Sequence, residues 1–240
     1  MKILAIDSSG LVAGAAIYED GIIKAEYQVN YKKTHSQTLL PMIDEIFKMT
    51  ESDVKDMDIV AVAAGPGSFT GLRIGFATAK GLAMVINSPM VLVPTVDALA
   101  YNLYGNEQII CPIMDARRNQ VYTGLYTFEN FEFKVIKEQM AVDIKEIIKK
   151  INEIGKPVIF TGDGMPVFKE KIKELITVDY SFAPAHLSRQ RAAALASLAL
   201  EYYEKGLTIE ADKATPVYLR LSQAERERLE RNRRLLTKQN

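Results

Sequence analysis

The sequence predicts an α/β protein made of two related halves. Short apolar stretches of strand length alternate with stretches in which apolar residues recur at helical spacing. The order three strands, helix, strand, glycine turn and helix occurs twice along the chain. The stretch DIVAVAAG is almost continuously apolar, which is typical of a buried and often parallel strand. With 240 residues, the chain is long enough for two small units with their own cores.

Residues 1–104 form the predicted first half. KILAID and GLVAGAAIYEDGIIKAEYQV predict three strands, with a turn at YEDG. The following helix lies in SQTLLPMIDEIFKM, and Pro41 inside it predicts a late start or a kink. Its apolar residues at helical spacing are Leu39, Leu40, Ile43, Ile46 and Phe47. DIVAVAAG is then followed by a helix at 71–86, the strand MVLVPT and a helix at 95–104.

Residues 105–222 form the predicted second half. IICPIMDA, QVYTGLYTF and EFKVIKE predict three strands, followed by the helix DIKEIIKKINEI and the strand and glycine turn of KPVIFTGDG. Helices are predicted at 165–175 and 189–205, and we expect the second of these to pack back on the first half. Residues 223–240 are a charged tail with six basic and three acidic residues from Ala224 on. A solvated helix and contact with an acidic partner such as RNA both remain open for this tail.

The composition is that of a soluble globular protein, with 48% apolar and 25% charged residues. The formal net charge is zero, so an anionic partner is not steered by the chain as a whole. One cysteine, Cys111, allows no internal disulfide and fits a reducing compartment. The start MKILAIDSSG is too short and polar for a signal peptide, and no apolar stretch predicts a membrane span. We therefore expect a cytoplasmic protein without membrane contact.

The stretch GPGSFTGLRIG, residues 65–75, resembles a phosphate loop but fails the specific templates. The P-loop needs a glycine where Thr70 stands, and Thr70 also replaces the third glycine of the dinucleotide fingerprint. Pro66 stands where a nucleophile elbow needs glycine. No catalytic residue is therefore predicted from this stretch.

Two interpretations of the turn remain. Gly65, Pro66 and Gly67 can form a tight turn, with Ser68 or Thr70 capping the next helix. Alternatively, backbone N–H groups at the start of that helix bind an anion weakly.

The helix after the turn carries a stripe of small residues, Gly71, Gly75, Ala79 and Ala83, at four-residue spacing. Its only charged residues are Arg73 and Lys80. A helix that is small or apolar nearly all round is buried on more than one side, either within its own domain or against a partner.

Metal and catalytic signatures are weak. His35 and His186 are isolated in the sequence, and no cysteine cluster exists, so no metal site is predicted. His35 is expected to cap a helix or lie on the surface. Asp7 and Asp115 each end the first strand of one half, a placement that could hold Mg-phosphate in a kinase. In the competing interpretation they are turn or N-cap residues, and Arg117 or Arg118 pairs with Asp115.

These motifs resemble one family. GPGSFTGLRIG, with HSQTLLPMI before it, MDARRNQVY after it and PVYLR near the end, is similar to the TsaB family, also called YeaZ. The resemblance covers residues 1 to about 222. It implies an actin-like ATPase fold of two ribonuclease-H-like halves, and a protein that assists the catalytic paralogue TsaD in making N6-threonylcarbamoyladenosine next to the anticodon of tRNA.

The resemblance also implies partners and site residues. TsaB proteins pair with TsaD through helices of the first half and form homodimers through the same surface when alone. TsaE, a P-loop ATPase, joins the complex, and ATP or ADP and Mg belong to TsaD and TsaE; tRNA is reached through the complex. The expected interface is Leu39, Leu40, Ile43, Phe47, Gly71, Arg73, Gly75, Ala79 and Ala83. A weak nucleotide or anion site is expected at Asp7, Ser8, Gly65, Gly67, Ser68 and Asp115, and no cofactor is expected to bind tightly.

Three other functions compete with that expectation. The chain could be a small-molecule kinase that uses Asp7 and Asp115. A protease is the weakest alternative, because metal ligands and a nucleophile motif are missing from the sequence. An RNA-binding module acting through the tail is the third.

Overall fold

A computed structural model describes residues 1–31 and 34–220 and confirms the α/β fold. Two sheets are flanked by helices. The first half contains β1 (Lys2–Asp7), β2 (Ala13–Glu19), β3 (Ile22–Val29), α1 (His35–Met49), β4 (Ile59–Gly65), α2 (Phe69–Ile86), β5 (Met90–Pro94) and α3 (Thr95–Tyr101). The second half contains β6 (Ile109–Pro112), β7 (Met114–Asp115), β8 (Gln120–Glu129), β9 (Glu132–Asp143), α4 (Ile144–Ile154), β10 (Val158–Thr161), α5 (Met165–Leu175), β11 (Tyr180–Phe182) and α6 (Ala192–Glu204). The charged tail 223–240 lies outside the described residues.

The two sheets have corresponding strand orders. The first sheet runs β3-β2-β1-β4-β5, in which β1, β4 and β5 are parallel and β2 is antiparallel to both of its neighbours. In the second sheet β9, β8, β6, β10 and β11 follow one another, and β6, β10 and β11 are again parallel. The repeat predicted from sequence pattern is therefore a repeat of topology.

Helices cover both faces of the first sheet. On one face α1 and α2 pack on a core that includes Leu4, Ile6, Val60 and Val62. On the other face α6 places Leu195 and Leu198 against the sheet. The second-half helix α6 thus completes the core of the first half, while α3 from the first half packs on β8 and β6 of the second sheet. These two exchanged helices hold the halves together.

Several helix boundaries differ from those predicted. Helix α1 starts at His35 and continues through Pro41, which is exposed. Proline removes the hydrogen bond to the carbonyl of Gln37, but Gln37 is also exposed, so water can satisfy that carbonyl. Helix α3 ends at Tyr101, and α6 begins only at Ala192.

The composition of helix α2 is strongly apolar. With 18 residues and a mean hydropathy of 1.3, it is long and apolar enough to cross a membrane. One face of α2 packs on β4, and six of its residues are buried there. A core helix of a soluble protein passes the same test of length and composition, so this feature is weak evidence for a membrane span.

Candidate functional site

The loop after β1 packs against the turn that precedes α2. The backbone N–H of Ser68 donates to the carbonyl of Ser9 at 2.7 Å. A Cβ atom placed on Gly67 would lie within 3.0 Å of that carbonyl oxygen, and one on Gly71 within 3.0 Å of the carbonyl oxygen of Ser8. Real Cβ atoms essentially never come so close. Both glycines are therefore required by the approach of residues 8–9.

The same packing fixes the start of α2. The Ser8 and Ser9 carbonyl oxygens face the first residues of that helix. Ser68 caps the helix, because its Oγ accepts a hydrogen bond from the N–H of Gly71 at 3.3 Å. Gly65 is similarly covered by the carbonyl of Val217. The capping interpretation of Ser68 is confirmed.

Asp7 is buried behind this turn, at the end of β1. Its Oδ1 accepts hydrogen bonds from the N–H of Ser9 at 2.8 Å and from the Oγ of Ser9 at 2.6 Å. Its Oδ2 is buried without a hydrogen-bond partner among the described residues. Burial raises the pKa of Asp7, the bonds from Ser9 lower it, and the nearby carboxyl of Asp163 raises it further.

In the structure the carboxyl that interacts electrostatically with Asp7 is Asp163, not Asp115, which the kinase hypothesis paired with it. Asp115 accepts the N–H of Arg117 at 2.7 Å and its guanidinium Nη1 at 3.3 Å, so the interpretation as a turn residue paired with arginine is confirmed. Asp163, in the glycine turn after β10, is the carboxyl that acts on Asp7. Gln190 Nε2 donates to Asp163 Oδ2 at 3.4 Å, and both side chains lie against Gly10.

Asp163 and Gln190 were not predicted as site residues. The TGDG turn was visible in the sequence as a strand end, but nothing in the sequence indicated that it meets the loop after β1. The prediction that His35 caps a helix or lies on the surface was also wrong. It neither caps α1 nor lies free on the surface, because its Nε2 hydrogen-bonds the carbonyl of Gly10 at 2.9 Å. It thereby ties α1 to the same loop.

The small-residue stripe of α2 faces the chain's own core, which agrees with the interpretation that this helix is buried within its own domain. Gly71, Gly75, Ala79 and Ala83 are all buried. A Cβ atom on Gly75 would lie within 3.0 Å of the Oγ of Ser8. These residues allow α2 to approach the end of β1.

The expected interface residues of α1 differ in how exposed they are. Leu39 and Ile43 are buried in the core, and Phe47 is partly buried against it. Leu40 is 56% exposed. Of the nine residues predicted to contact a partner, only Leu40 and Arg73 are exposed.

Exposed residues lie on the outward sides of α1 and α2, and we call this set of residues the outer helix face. It contains the exposed residues Leu40, Met49, Arg73, Ala77, Gly81, Met84 and Val85. Met49, Met84 and Val85 are 76%, 60% and 74% exposed. A Cβ atom on Gly81 would meet nothing within 4 Å, so this glycine lies at an open part of the surface.

Arg73 is held at the N-terminal end of this face. Its guanidinium carbon lies 4.0 Å from the ring centroid of Phe69, and its Nε donates to the hydroxyl of Tyr218 at 3.3 Å. The rings of Phe69 and Tyr218 are 4.6 Å apart. Lys80 binds the same C-terminal segment through the carbonyls of Asp212 and Ala214, each at 3.0 Å. The C-terminal segment 211–220 is thus held against α2 by these contacts.

Within residues 1–31 and 34–220, no three His, Cys, Asp or Glu side chains are grouped so that they could hold a metal ion.

The comparisons with known proteins agree on one family. The profile of the family described as TsaD, tRNA N6-adenosine threonylcarbamoyltransferase, matches residues 25–228. The chain is 33% identical over 225 residues to the tRNA threonylcarbamoyladenosine biosynthesis protein TsaB of Bacillus subtilis (strain 168), covering 94% of this chain and 96% of that protein.

Solved structures give the same result. The structure of YeaZ from Pseudomonas aeruginosa matches with a TM-score of 0.79 and 26% identity, over 91% of this chain and 99% of that one. Component A of the (R)-2-hydroxyglutaryl-CoA dehydratase of Acidaminococcus fermentans matches with a TM-score of 0.50 and 14% identity, over 85% of this chain and 98% of that one, which shows the fold alone. The chain belongs to the TsaD-like family and, within it, to the TsaB (YeaZ) proteins.

Proposed function

We propose that this chain is a non-catalytic subunit in the formation of N6-threonylcarbamoyladenosine in tRNA, where it binds and supports a TsaD-like catalytic paralogue. Its relatives in Bacillus subtilis and Escherichia coli are tRNA threonylcarbamoyladenosine biosynthesis proteins, which supports this pathway. The TsaD-like partner performs the transfer of the threonylcarbamoyl group from its AMP ester. A TsaE-like P-loop ATPase joins the complex in the cytoplasm.

The proposed partner role rests on the outer helix face. Three long apolar side chains, Met49, Met84 and Val85, are mostly exposed on two adjacent helices whose inner faces are already buried. Methionine is enriched at protein–protein interfaces and adapts well to a second surface. Ala77 and Gly81 lie on the same side of α2, where small residues allow another helix to approach closely.

The turn before α2 supports a role without nucleotide chemistry in this chain. The acceptor oxygens of Ser8 and Ser9 face the helix start, so a triphosphate has no donor cradle there. We accordingly assign ATP or ADP and Mg to the TsaD-like and TsaE-like partners. Without those partners, the outer helix face pairs with a second copy of this chain.

A charge substitution at Val85 tests the docking surface. Val85→Glu places a carboxylate within the proposed contact, at an exposed position in the last turn of α2. We expect the affinity for a TsaD-like partner to fall at least about tenfold, roughly 1.4 kcal/mol, because the charge loses water on binding. Size-exclusion chromatography and calorimetric titration with that partner measure the change.

Val167→Glu is the matched control. Val167 is 64% exposed on α5 of the second half, away from the outer helix face, so this variant should bind the partner as the wild type does. Equal weakening by both variants, or none by Val85→Glu, contradicts the assignment of the docking surface.

A further inference from the structure

The loop between β8 and β9 holds a phenylalanine in strained backbone. Glu129 and Glu132 are the last paired residues of the two strands, so Asn130 and Phe131 form the loop. Their φ values of 52° and 65° are typical of a type I′ turn, in which asparagine followed by glycine is a favoured pair. A bulky residue at positive φ is an outlier, so glycine would fit the position of Phe131 with less strain.

Burial does not compensate for this strain. Phe131 is 70% exposed, and its ring stacks on the ring of Tyr104, which is itself mostly exposed. The two ring centroids are 6.2 Å apart, with an angle of 27° between the ring planes. The chain therefore keeps a strained residue at a position where its ring faces solvent.

The ring of Tyr104 is held in place by the fold. It lies 5.1 Å from the ring of buried Phe128 and 5.6 Å from the ring of Tyr101. The segment after Tyr104 is tied to β8, because the carbonyl of Asn106 accepts the N–H of Phe128 at 3.1 Å. Tyr104 and Phe131 thus form an ordered and exposed aromatic surface, which we call the hairpin aromatic pair.

Carboxylates flank the hairpin aromatic pair. Glu129 and Glu132 lie on either side of the loop and are exposed. Glu107, also exposed, follows Tyr104 by three residues. Lys134 pairs with Glu132, whereas Glu107 and Glu129 make no ion pair within the described part of the chain. Three carboxylates and one ammonium group leave a net charge of −2, so a cation is attracted here and a phosphate is repelled.

Aromatic rings elsewhere in the chain are covered by a cation from the chain itself. The guanidinium carbon of Arg73 lies 4.0 Å from the ring centroid of Phe69, and Lys169 Nζ lies 5.0 Å from that of Phe182. Among the residues that the structure describes, no lysine or arginine lies over either ring of the hairpin aromatic pair. This pair has the electron-rich rings and the flanking carboxylates of a cation site, and its rings remain accessible.

We propose that the hairpin aromatic pair binds an arginine side chain of a protein partner. Guanidinium is planar, stacks on aromatic rings and pairs with carboxylates in a bidentate way, so it matches both features of the site better than an ammonium group does. Tyr104 also lines a cleft of about 400 Å³ together with Ile23 and Leu187. An apolar residue next to the arginine can enter this cleft, so the occupant is a polypeptide segment.

An NMR titration of the isotope-labelled, full-length chain measures this binding. The probe is the peptide Gly-Leu-Arg-Gly, blocked at both ends so that the guanidinium is its only charge. We expect the amide signals of Gly105 and Phe131 to shift, and the affinity to be at least about twofold lower for Gly-Leu-Lys-Gly. Phe131→Asn removes the ring, while asparagine tolerates left-handed backbone, and this variant should bind the arginine peptide about fivefold more weakly.

Phe131→Gly separates a binding role from a structural one. Glycine relieves the strain at positive φ, so the melting temperature should rise by about 2–4 °C while the arginine peptide binds about fivefold more weakly. A lower melting temperature would show that the ring of Phe131 stabilises the fold, and would overturn the proposal.

Tyr180→Asn is the matched control. Tyr180 is exposed and its ring lies 5.6 Å from that of Phe182, over which Lys169 already lies, so this variant should bind the peptide as the wild type does. Absence of shifts at Phe131, equal weakening by Tyr180→Asn, or equal affinity for the arginine and lysine peptides overturns the proposal. Larger shifts with an RNA oligonucleotide overturn it in favour of RNA, and shifts that follow protein concentration alone overturn it in favour of a second copy.

This surface is separate from the outer helix face. Tyr101, next to the hairpin aromatic pair, packs with α6 on one side of the first sheet, whereas α1 and α2 cover the other side. The Phe131 variants should therefore leave binding of the TsaD-like partner unchanged, and failure of this proposal is distinct from failure of the proposed function.

Discussion

Adding one methyl group at Gly71 or at Gly81 should have opposite effects on stability. Both glycines lie in α2, and alanine is favoured over glycine in a helix by up to about 1 kcal/mol. At Gly81 the new Cβ meets nothing within 4 Å, so Gly81→Ala should stabilise the chain by about 0.5–1 kcal/mol. At Gly71 the Cβ would lie within 3.0 Å of the backbone oxygen of Ser8, which cannot rotate away.

The cost at Gly71 has two parts. Overpacking at a buried site costs about 1–3 kcal/mol. Displacing Ser8 also breaks the buried hydrogen bond from its Oγ to the carbonyl of Gly71, 2.8 Å long, which costs about 1–3 kcal/mol more. After the helix gain is subtracted, Gly71→Ala should destabilise the chain by about 3 kcal/mol.

Urea denaturation followed by circular dichroism measures both free energies of unfolding. For a chain of this length, about 3 kcal/mol corresponds to a melting temperature lower by roughly 6–12 °C. If Gly71→Ala is as stable as Gly81→Ala, the small-residue stripe does not face the loop after β1, and the reasoning about α2 is refuted.

Two further predictions concern buried polar groups. Burial raises the pKa of Asp7 above its ordinary 3.8, so the folded chain keeps that proton longer than the unfolded chain, and stability falls as pH rises from about 4 towards the raised pKa. Asp7→Asn should therefore gain stability relative to wild type at pH 8 more than at pH 4, measured by urea denaturation; an equal difference at both pH values contradicts this. Asp97 accepts a hydrogen bond from the hydroxyl of Tyr202 at 2.7 Å, so Tyr202→Phe should lower the free energy of unfolding by about 1.5–3 kcal/mol. The hydroxyl of Tyr203 has no hydrogen bond within the described part of the chain, so Tyr203→Phe should cost less than about 0.5 kcal/mol. Equal costs for the two variants would falsify the role of the Tyr202 hydrogen bond.

The sequence predicted the fold well because each element leaves a local signal. The continuous apolar run of residues 59–64 and the helical spacing of Leu39, Ile43 and Ile46 each follow from burial within one element. The repeated order of elements then indicated two halves, and the sheets have corresponding strand orders. The GPGSFTG motif was correctly excluded as a P-loop because that template depends on particular residues at fixed spacing.

The candidate site was predicted less well because it depends on which elements meet. The stripe of Gly71 and Gly75 indicates close packing but does not reveal its neighbour, which is the loop containing Ser8. Asp163 comes from the other half of the chain, so no spacing in the sequence connects it with Asp7. The exposed Met84 and Val85 are ordinary helix residues by sequence, and only the burial of the opposite side of α2 identifies them as a surface.

Transfer of threonylcarbamoyl to tRNA by the TsaD-like partner, with TsaE-like protein and ATP present, tests the central claim most directly. The account predicts that transfer depends on this chain, is restored by the wild type and by Val167→Glu, and is restored poorly by Val85→Glu at equal concentration. Full transfer in the absence of this chain, or full restoration by Val85→Glu, would contradict it.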